Sequence, residues 1–281
     1  MGGKDEEGRG EKEPSGHLSD DEMEQVAEKK AESARVVHEA IRLQGQDELD
    51  RPILSLLLSA FTAGLGISVS VLAETFLKLR LPATPASELV SSLGYAVGFL
   101  IVILGNLQLF TEQTVTAVLP VATHPTIRNV GRLARLWALV FAGNMLGTLF
   151  AAALMAWQVI LSAEQLAAAT DLSARLLNHD VLHTMLLGMP AGFLVGSIAW
   201  ILPSAKSGDF WIVTVITYVI AIGGFSHVVA GAAEAWLLWL AGHASLGWAL
   251  GGFILPALVG NIIGGTGLFA LLAHGQVRHE I

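Results

Sequence analysis

The stretches Leu109-Phe110-Thr111-Glu112-Gln113-Thr114 and Gly223-Gly224-Phe225-Ser226-His227 each interrupt a hydrophobic run long enough to cross a bilayer. A titratable side chain held in hydrocarbon costs about 3 kcal/mol or more unless it faces protein or water. Glu112 and His227 therefore mark points where the chain meets something other than lipid. The glycines and hydroxyl residues beside them break the helical pattern. Two polar interruptions in corresponding halves of a membrane protein point to a transport path between broken helices.

The surrounding composition fits a membrane protein. Of the 281 residues, 53% are hydrophobic and 14% charged, where a soluble domain carries about a quarter charged. Residues 1–50 hold 15 acidic and 7 basic side chains, and residues 51–281 hold 9 of each, so the first fifty carry the whole formal charge of −8. The natural division is an acidic N-terminal arm (1–50), a membrane domain (51–275) and a short tail (276–281). The start lacks the apolar region of a secretory signal, and Glu6 stands where a myristoylation signal needs Ser or Thr. Without cysteine there is no disulfide, thiolate metal site or thiol nucleophile. No basic stripe suggests a nucleic-acid partner.

Within the arm, residues 1–17 have almost nothing to bury and read as disordered. A helix is predicted over 20–43, with Ser19 and Glu22 forming a capping box. Its apolar stripe, including Met23, Val26, Val37 and Ile41, is thin. It either lies against the membrane domain or binds a partner.

Six spans of at least about 20 residues fit the rest: 53–76, 90–119, 136–160, 181–202, 210–240 and 246–273. Arg128, Arg132, Arg135 and Lys206 fall on the same side as both termini, which the positive-inside rule assigns to the cytoplasm. Spans one to three and four to six each read as a small-residue-rich helix, a long interrupted helix, and a helix with a Gly-Asn pair. Those pairs are Gly143-Asn144 and Gly260-Asn261. Three spans per half require the halves to insert in opposite orientations, which is an inverted 3+3 repeat. Glycines recurring at helical spacing suit close backbone packing. The amides of Asn144 and Asn261 are suited to hold backbone groups freed where helices break, with Gly224 at one break.

His227 is either a hydrogen-bonded packing residue or a pore residue able to donate to a small anion and exchange a proton. Thr111 is its counterpart in the other half, and together they form the expected pore centre. Phe110 and Phe225 are suited to constrictions beside a polar chamber. Glu112 either satisfies backbone N–H groups at the helix break or serves in the pathway as a proton relay or selectivity group. Glu234, two turns beyond His227 on the same face, is placed at a rim with the same possible function. His179 and His183 lie one turn apart, but no third ligand is evident, so no metal is expected. No nucleotide loop or nucleophile elbow appears, and neither a cofactor nor enzymatic activity is expected.

The chain resembles the formate/nitrite transporter family. The resemblance is carried by Gly105-Asn106-Leu107-Gln108-Leu109-Phe110-Thr111, Phe141-Ala142-Gly143-Asn144-Met145-Leu146-Gly147, Gly224-Phe225-Ser226-His227, and Pro256 to Gly265. It covers residues 50–275 and implies an all-α, aquaporin-like six-transmembrane-helix bundle with two interrupted helices. It further implies a homopentamer in a bacterial inner membrane with one pore per protomer, passing small monovalent anions, often with a proton. The family's pore histidine falls on His227, its threonine on Thr111, and its constriction phenylalanines on Phe110 and Phe225. Its constriction leucine corresponds to Leu104 or Leu107. Four positions depart from the family pattern. Ser226 stands where an acid usually precedes the histidine, and Gly231 replaces an asparagine. Glu112 replaces a small residue, and residues 172–188 contain no lysine, only Arg175.

The leading expectation is a channel or proton-coupled transporter for a small monovalent weak-acid anion. Glu112 and the missing lysine leave open a pore for a neutral or cationic solute. The acidic arm leaves open a non-conducting scaffold or regulatory protein.

Overall fold

The computed structural model describes residues 33–205 and 207–278, and those from Ala34 onward belong to one compact unit. The capping box at Ser19 and Glu22, and the helix predicted from residue 20 to 32, lie outside the described residues. Every regular element among the described residues is helical. They are α1 (Ala34–Asp50), α2 (Ile53–Lys78), α3 (Pro85–Leu104), α4 (Phe110–Gln113), α5 (Val118–Thr123), α6 (Ile127–Ala156), α7 (Ala163–Ser173), α8 (Val181–Ser204), α9 (Asp209–Ile222), α10 (Val228–Leu240) and α11 (Trp248–Val277). Five of these are long and apolar enough to cross a membrane: α2, α3, α6, α8 and α11. The second span continues past α3 through the fragments α4 and α5, and the fifth is divided into α9 and α10. The described residues thus form a multi-pass bundle of six spans, two of them interrupted.

Two helix crossings set the frame, one in each half. α2 packs along α6 and α8 along α11. A Cβ on Gly64 would lie 2.5 Å from the carbonyl oxygen of Asn144, and one on Gly260 would lie 2.1 Å from that of Met185. Only glycine permits such approach, and it replaces hydrophobic driving force by close backbone contact. α11 widens into π-turns over Trp248–Ile254 and Ile263–Ala270, on either side of the segment carrying Gly260 and Asn261.

The two interruptions have the same backbone geometry. Asn106 (φ 50°) and Gly224 (φ 62°) adopt the left-handed conformation that closes a helix. The N–H groups of Gly105, Asn106 and Leu107 bond back to Ile101, Ile103 and Val102, and those of Gly223, Gly224 and Phe225 bond to Val219, Ala221 and Ile220. The repeat read from sequence is therefore present bond for bond, and it pairs Leu107 with Phe225.

Helix α1 runs seven residues past the predicted end at 43. Its buried stripe is Val37, His38, Ile41, Gly45 and Leu49, and it packs against α5, α8 and the end of α11. Gly45 approaches the Thr116 carbonyl so closely that a Cβ would sit 2.0 Å from its oxygen. Arg132 pairs with Asp50, and Arg135 donates to the Arg51 carbonyl at 2.5 Å. We call this end of the bundle the arm face and the opposite end the distal face. On the distal face lies α7, a helix outside the six predicted spans. Its capping box, Ser162 with Gln165, is complete, and that signal was present in the sequence.

Candidate functional site

Asn144 and Asn261 each sit at a break and make the same three bonds. Asn144 Oδ1 accepts from the Phe110 N–H at 2.9 Å, while its Nδ2 donates to the carbonyls of Ala60 and Gln108, each at 2.8 Å. Asn261 Oδ1 accepts from the Val228 N–H at 2.9 Å, while its Nδ2 donates to the carbonyls of Gly188 at 3.0 Å and Ser226 at 2.7 Å. Backbone groups have no water to bond in a bilayer, so a helix can stop at this depth only if side chains accept and donate in its place. The correspondence sets Gln108 against Ser226, Leu109 against His227, and Phe110 against Val228.

The breaks bring Thr111 and His227 together. Thr111 Oγ1 lies 2.8 Å from His227 Nε2, and both residues are buried. His227 Nδ1 accepts from the Ala230 N–H at 3.2 Å, which caps α10. A backbone N–H can only donate, so in the neutral ring the proton sits on Nε2 and is donated to Thr111. The Thr111 hydroxyl hydrogen is then free for another acceptor. Protonating Nδ1 would require the cap bond to break. Phe99 packs edge-on to the imidazole, with ring centroids 4.9 Å apart.

A cavity of about 170 Å³ opens above His227 toward the distal face. Its walls include Phe225, Ser226, His227, Tyr95, Arg175 and Glu234. Beyond it lies a wider cavity of about 720 Å³, also lined by Arg175 and by Glu74 and Lys78. Arg175 stands between the two. Leu109, Thr111 and Phe99 are fully buried.

The remaining candidates are placed as follows. Phe225 lines the cavity, while Phe110 packs edge-on against Trp137 and Phe141 of α6. Leu104 is 43% exposed and does not line the cavity above His227, whereas Leu107 packs against the core. Of the two leucines, Leu107 occupies the place equivalent to Phe225. Glu112 lies in the short helix α4, and its side chain makes no capping bond among the described residues; Asn144 has taken that place. Glu234 is buried beside Arg175, rather than at an exposed rim. His179 and His183 stack at 4.7 Å on the distal face, and no metal-type cluster occurs among the described residues. On the arm face, Gln108 Nε2 donates to Glu48 of α1 at 2.9 Å, which ties the arm to the first break.

Sequence reasoning passed over two residues and gave a third, Arg175, no place in the site. Leu109 is the repeat counterpart of His227, visible only once the asparagine bonds align the halves. Glu74 lies inside the first span, where the rule that singles out Glu112 applies equally. Arg175 is brought to the cavity by a 3₁₀ turn, Ala174–Asn178. Glu234 and Glu74, in that order of charge interaction with burial opposing between them, hold its guanidinium well above the ordinary arginine range.

These features define a class: a multi-pass helical membrane protein in which two spans are interrupted and a buried Thr–His pair joins the interruptions beneath a cavity. Residues 35–275 match the formate/nitrite transporter family, and the chain belongs to it. It is 39% identical over 250 residues to the inner membrane protein YfdC of Escherichia coli, covering 88% of this chain and 80% of that one. It is 28% identical over 191 residues to the formate channel FocA of Haemophilus influenzae, covering 64% of each. Its fold matches a solved pentameric formate channel with formate bound, with a TM-score of 0.68 at 21% identity, over 81% of this chain and 98% of the other.

Proposed function

We propose that this protein is a transmembrane channel or proton-coupled transporter for a small monovalent weak-acid anion such as formate, acting as a homopentamer in a bacterial inner membrane with both termini cytoplasmic. The observation that carries this reading is the Thr111–His227 bond at the floor of the distal cavity. There, the Thr111 hydroxyl hydrogen and the N-terminal end of the thirteen-residue helix α10 present positive partial charge to a solute entering from above. His227, neutral and donating through Nε2, leaves the threonine hydroxyl hydrogen free to donate elsewhere. Phe99, Leu109 and Phe225 exclude water around it, which favours passage of a small solute over hydrated ions. Family membership, and the formate channels among its relatives and structural neighbours, support the substrate class and the pentamer. The basic arm face, with Arg128, Arg132 and Arg135, supports the orientation.

The test is flux into proteoliposomes of formate, nitrite, acetate, chloride, ammonium and water. Formate or nitrite flux that rises as pH falls, and drops at least about tenfold in Thr111→Val and His227→Ala, is the expected result. A second reading rests on the carboxylates Glu74 and Glu234, which line the distal cavities: flux confined to ammonium or a neutral solute would replace the anion by that class.

A further inference from the structure

We propose that Trp137 of α6 and Thr266 of α11 are positioning residues for Thr111: they hold the one-turn helix α4 in place and so set how large a solute the Thr111–His227 floor admits. This rests on the channel reading above and names what fixes the size limit at that same site.

The two residues of the floor stand on unequal supports. His227 caps the thirteen-residue helix α10, which bonds its own backbone beyond the first turn. Thr111 sits in a helix of four residues, Phe110–Gln113. The last four carbonyls of a helix have no partner within it, so a single turn depends on outside donors, and hydrocarbon supplies none. The Glu112 carbonyl accepts from the N–H groups of Val115 and Thr116 as the chain turns on, each at 3.1 Å. The others take side chains. The Thr111 carbonyl accepts from Thr114 Oγ1 at 2.7 Å, and the Gln113 carbonyl from Trp137 Nε1 at 3.1 Å. The Thr114 carbonyl, at the cap of α4, accepts from Thr266 Oγ1 at 2.6 Å. Two of these donors come from other spans.

Both donors are shaped for this task. Trp137 holds the two ends of the turn at once, because its indole N–H bonds the Gln113 carbonyl while its ring stands edge-on to Phe110 at 5.7 Å. A threonine inside a helix usually donates to a carbonyl three or four residues back, as Thr148, Thr170 and Thr217 do. Thr266 donates across the bundle to Thr114 instead, from the π-turn Ile263–Ala270, and such turns often mark functional positions. Gly265 lets α11 come this close, since a Cβ there would fall 2.1 Å from Thr114 Oγ1. Thr114 is fully buried and its hydroxyl is spent on the Thr111 carbonyl. A line of bonds therefore runs from Thr266 through Thr114 to Thr111.

The consequence is a fixed wall and an adjustable one. His227 is held by the long helix it caps through its bond to the Ala230 N–H. Phe110 and Thr111 are neighbours on α4, so any tilt of that turn carries both. A buried carbonyl that loses its donor seeks another partner, and one turn of helix offers little resistance to that rotation. Thr111 then draws away from His227 and the floor widens. A wider floor admits an acid larger by one methyl group, so discrimination between formate and acetate reports the position of α4.

The experiment measures formate and acetate uptake side by side into proteoliposomes of the full chain, with the thermal midpoint of each assembly recorded. Trp137→Phe keeps an aromatic ring against Phe110 and removes the N–H donor. Thr266→Val keeps the shape and removes the hydroxyl, and Thr266→Ser restores the hydroxyl. The ratio of formate to acetate flux should fall about fivefold or more in Trp137→Phe and Thr266→Val, while Thr266→Ser should stay within about twofold of wild type. A merely structural role would lower the midpoint and leave the ratio where it was. An unchanged ratio in either assembled variant therefore overturns the proposal. If one variant does not assemble, the other decides; failure of both to assemble also overturns it, because the bonds then serve assembly rather than the floor. Wild type that moves neither acid overturns the channel reading and this inference with it, and the wild-type flux tells that failure from the others.

Discussion

Replacing Asn261 by alanine should destabilise the bundle by roughly 3–5 kcal/mol. The side chain is fully buried and makes three bonds, at 2.9, 3.0 and 2.7 Å, to the Val228 N–H and the carbonyls of Gly188 and Ser226. Each backbone group left unpaired costs about 1–3 kcal/mol. Full loss would total roughly 3–9 kcal/mol, and the lower half of that range is expected because the freed groups find other partners in a membrane-embedded reference state. Asn144 makes the matching three bonds in the other half, so Asn144→Ala should cost the same within a factor of two. Asn261→Asp is the sharper variant. It keeps an acceptor for Val228 but sets a carboxylate oxygen against two carbonyls, so it should be at least as damaging as alanine. The assay is thermal unfolding of the purified assembly in detergent, followed by size-exclusion chromatography. A loss of 3 kcal/mol corresponds to a midpoint lower by roughly 6–12 °C for a domain of this size. Alanine variants within about 1 °C of wild type at both positions would refute the claim that these amides hold the helix breaks.

Two further outcomes follow from the packing and from one titrating contact. Gly264→Ala should destabilise by about 2 kcal/mol or more, because its Cβ would fall 1.9 Å from the Met189 carbonyl oxygen, whereas Gly251→Ala meets nothing within 4 Å and should be near silent; the same unfolding assay compares them. His38 of α1 is buried, with Nε2 3.0 Å from His274 Nδ1, and its pKa is lowered by burial first and then by His274 and Arg42, against Glu39. A histidine whose folded-state pKa is depressed contributes stability above its unfolded value, about 6.5, and loses it as pH falls below that. Hydrogen-exchange protection factors of the α1 amides, referred to the intrinsic rate at each pH, should therefore fall between pH 7 and pH 5, and His38→Gln should flatten that dependence; protection factors that are independent of pH in wild type would exclude this contact as the cause.

Much of the architecture was legible because a bilayer leaves few choices. Long apolar runs must be helices, and glycines recurring at helical spacing suit helix contacts; at 64, 147 and 260 an added Cβ would fall 2.5, 2.2 and 2.1 Å from a backbone carbonyl oxygen. The extra helix α7 was legible from Ser162 and Gln165 but short enough to be passed over. The extent of α1 was not, because its burial comes from Gly45 and Leu49 meeting the turn at Thr116, and a glycine in a polar helix carries no sign of what it touches.

The site divides in the same way. Sequence by itself determined that Thr111, Glu112 and His227 interrupt membrane spans, that the two halves repeat with opposite orientation, and that two asparagines recur at matching places, because these follow from residue type and spacing. Tertiary structure alone decided that Thr111 and His227 bond to each other, that Leu107 rather than Leu104 is the counterpart of Phe225, and that Glu74, Arg175 and Glu234 share one buried place. The physical reason is distance along the chain. Glu74, Arg175 and Glu234 lie on three different elements, and only the packed helices bring one guanidinium between two carboxylates.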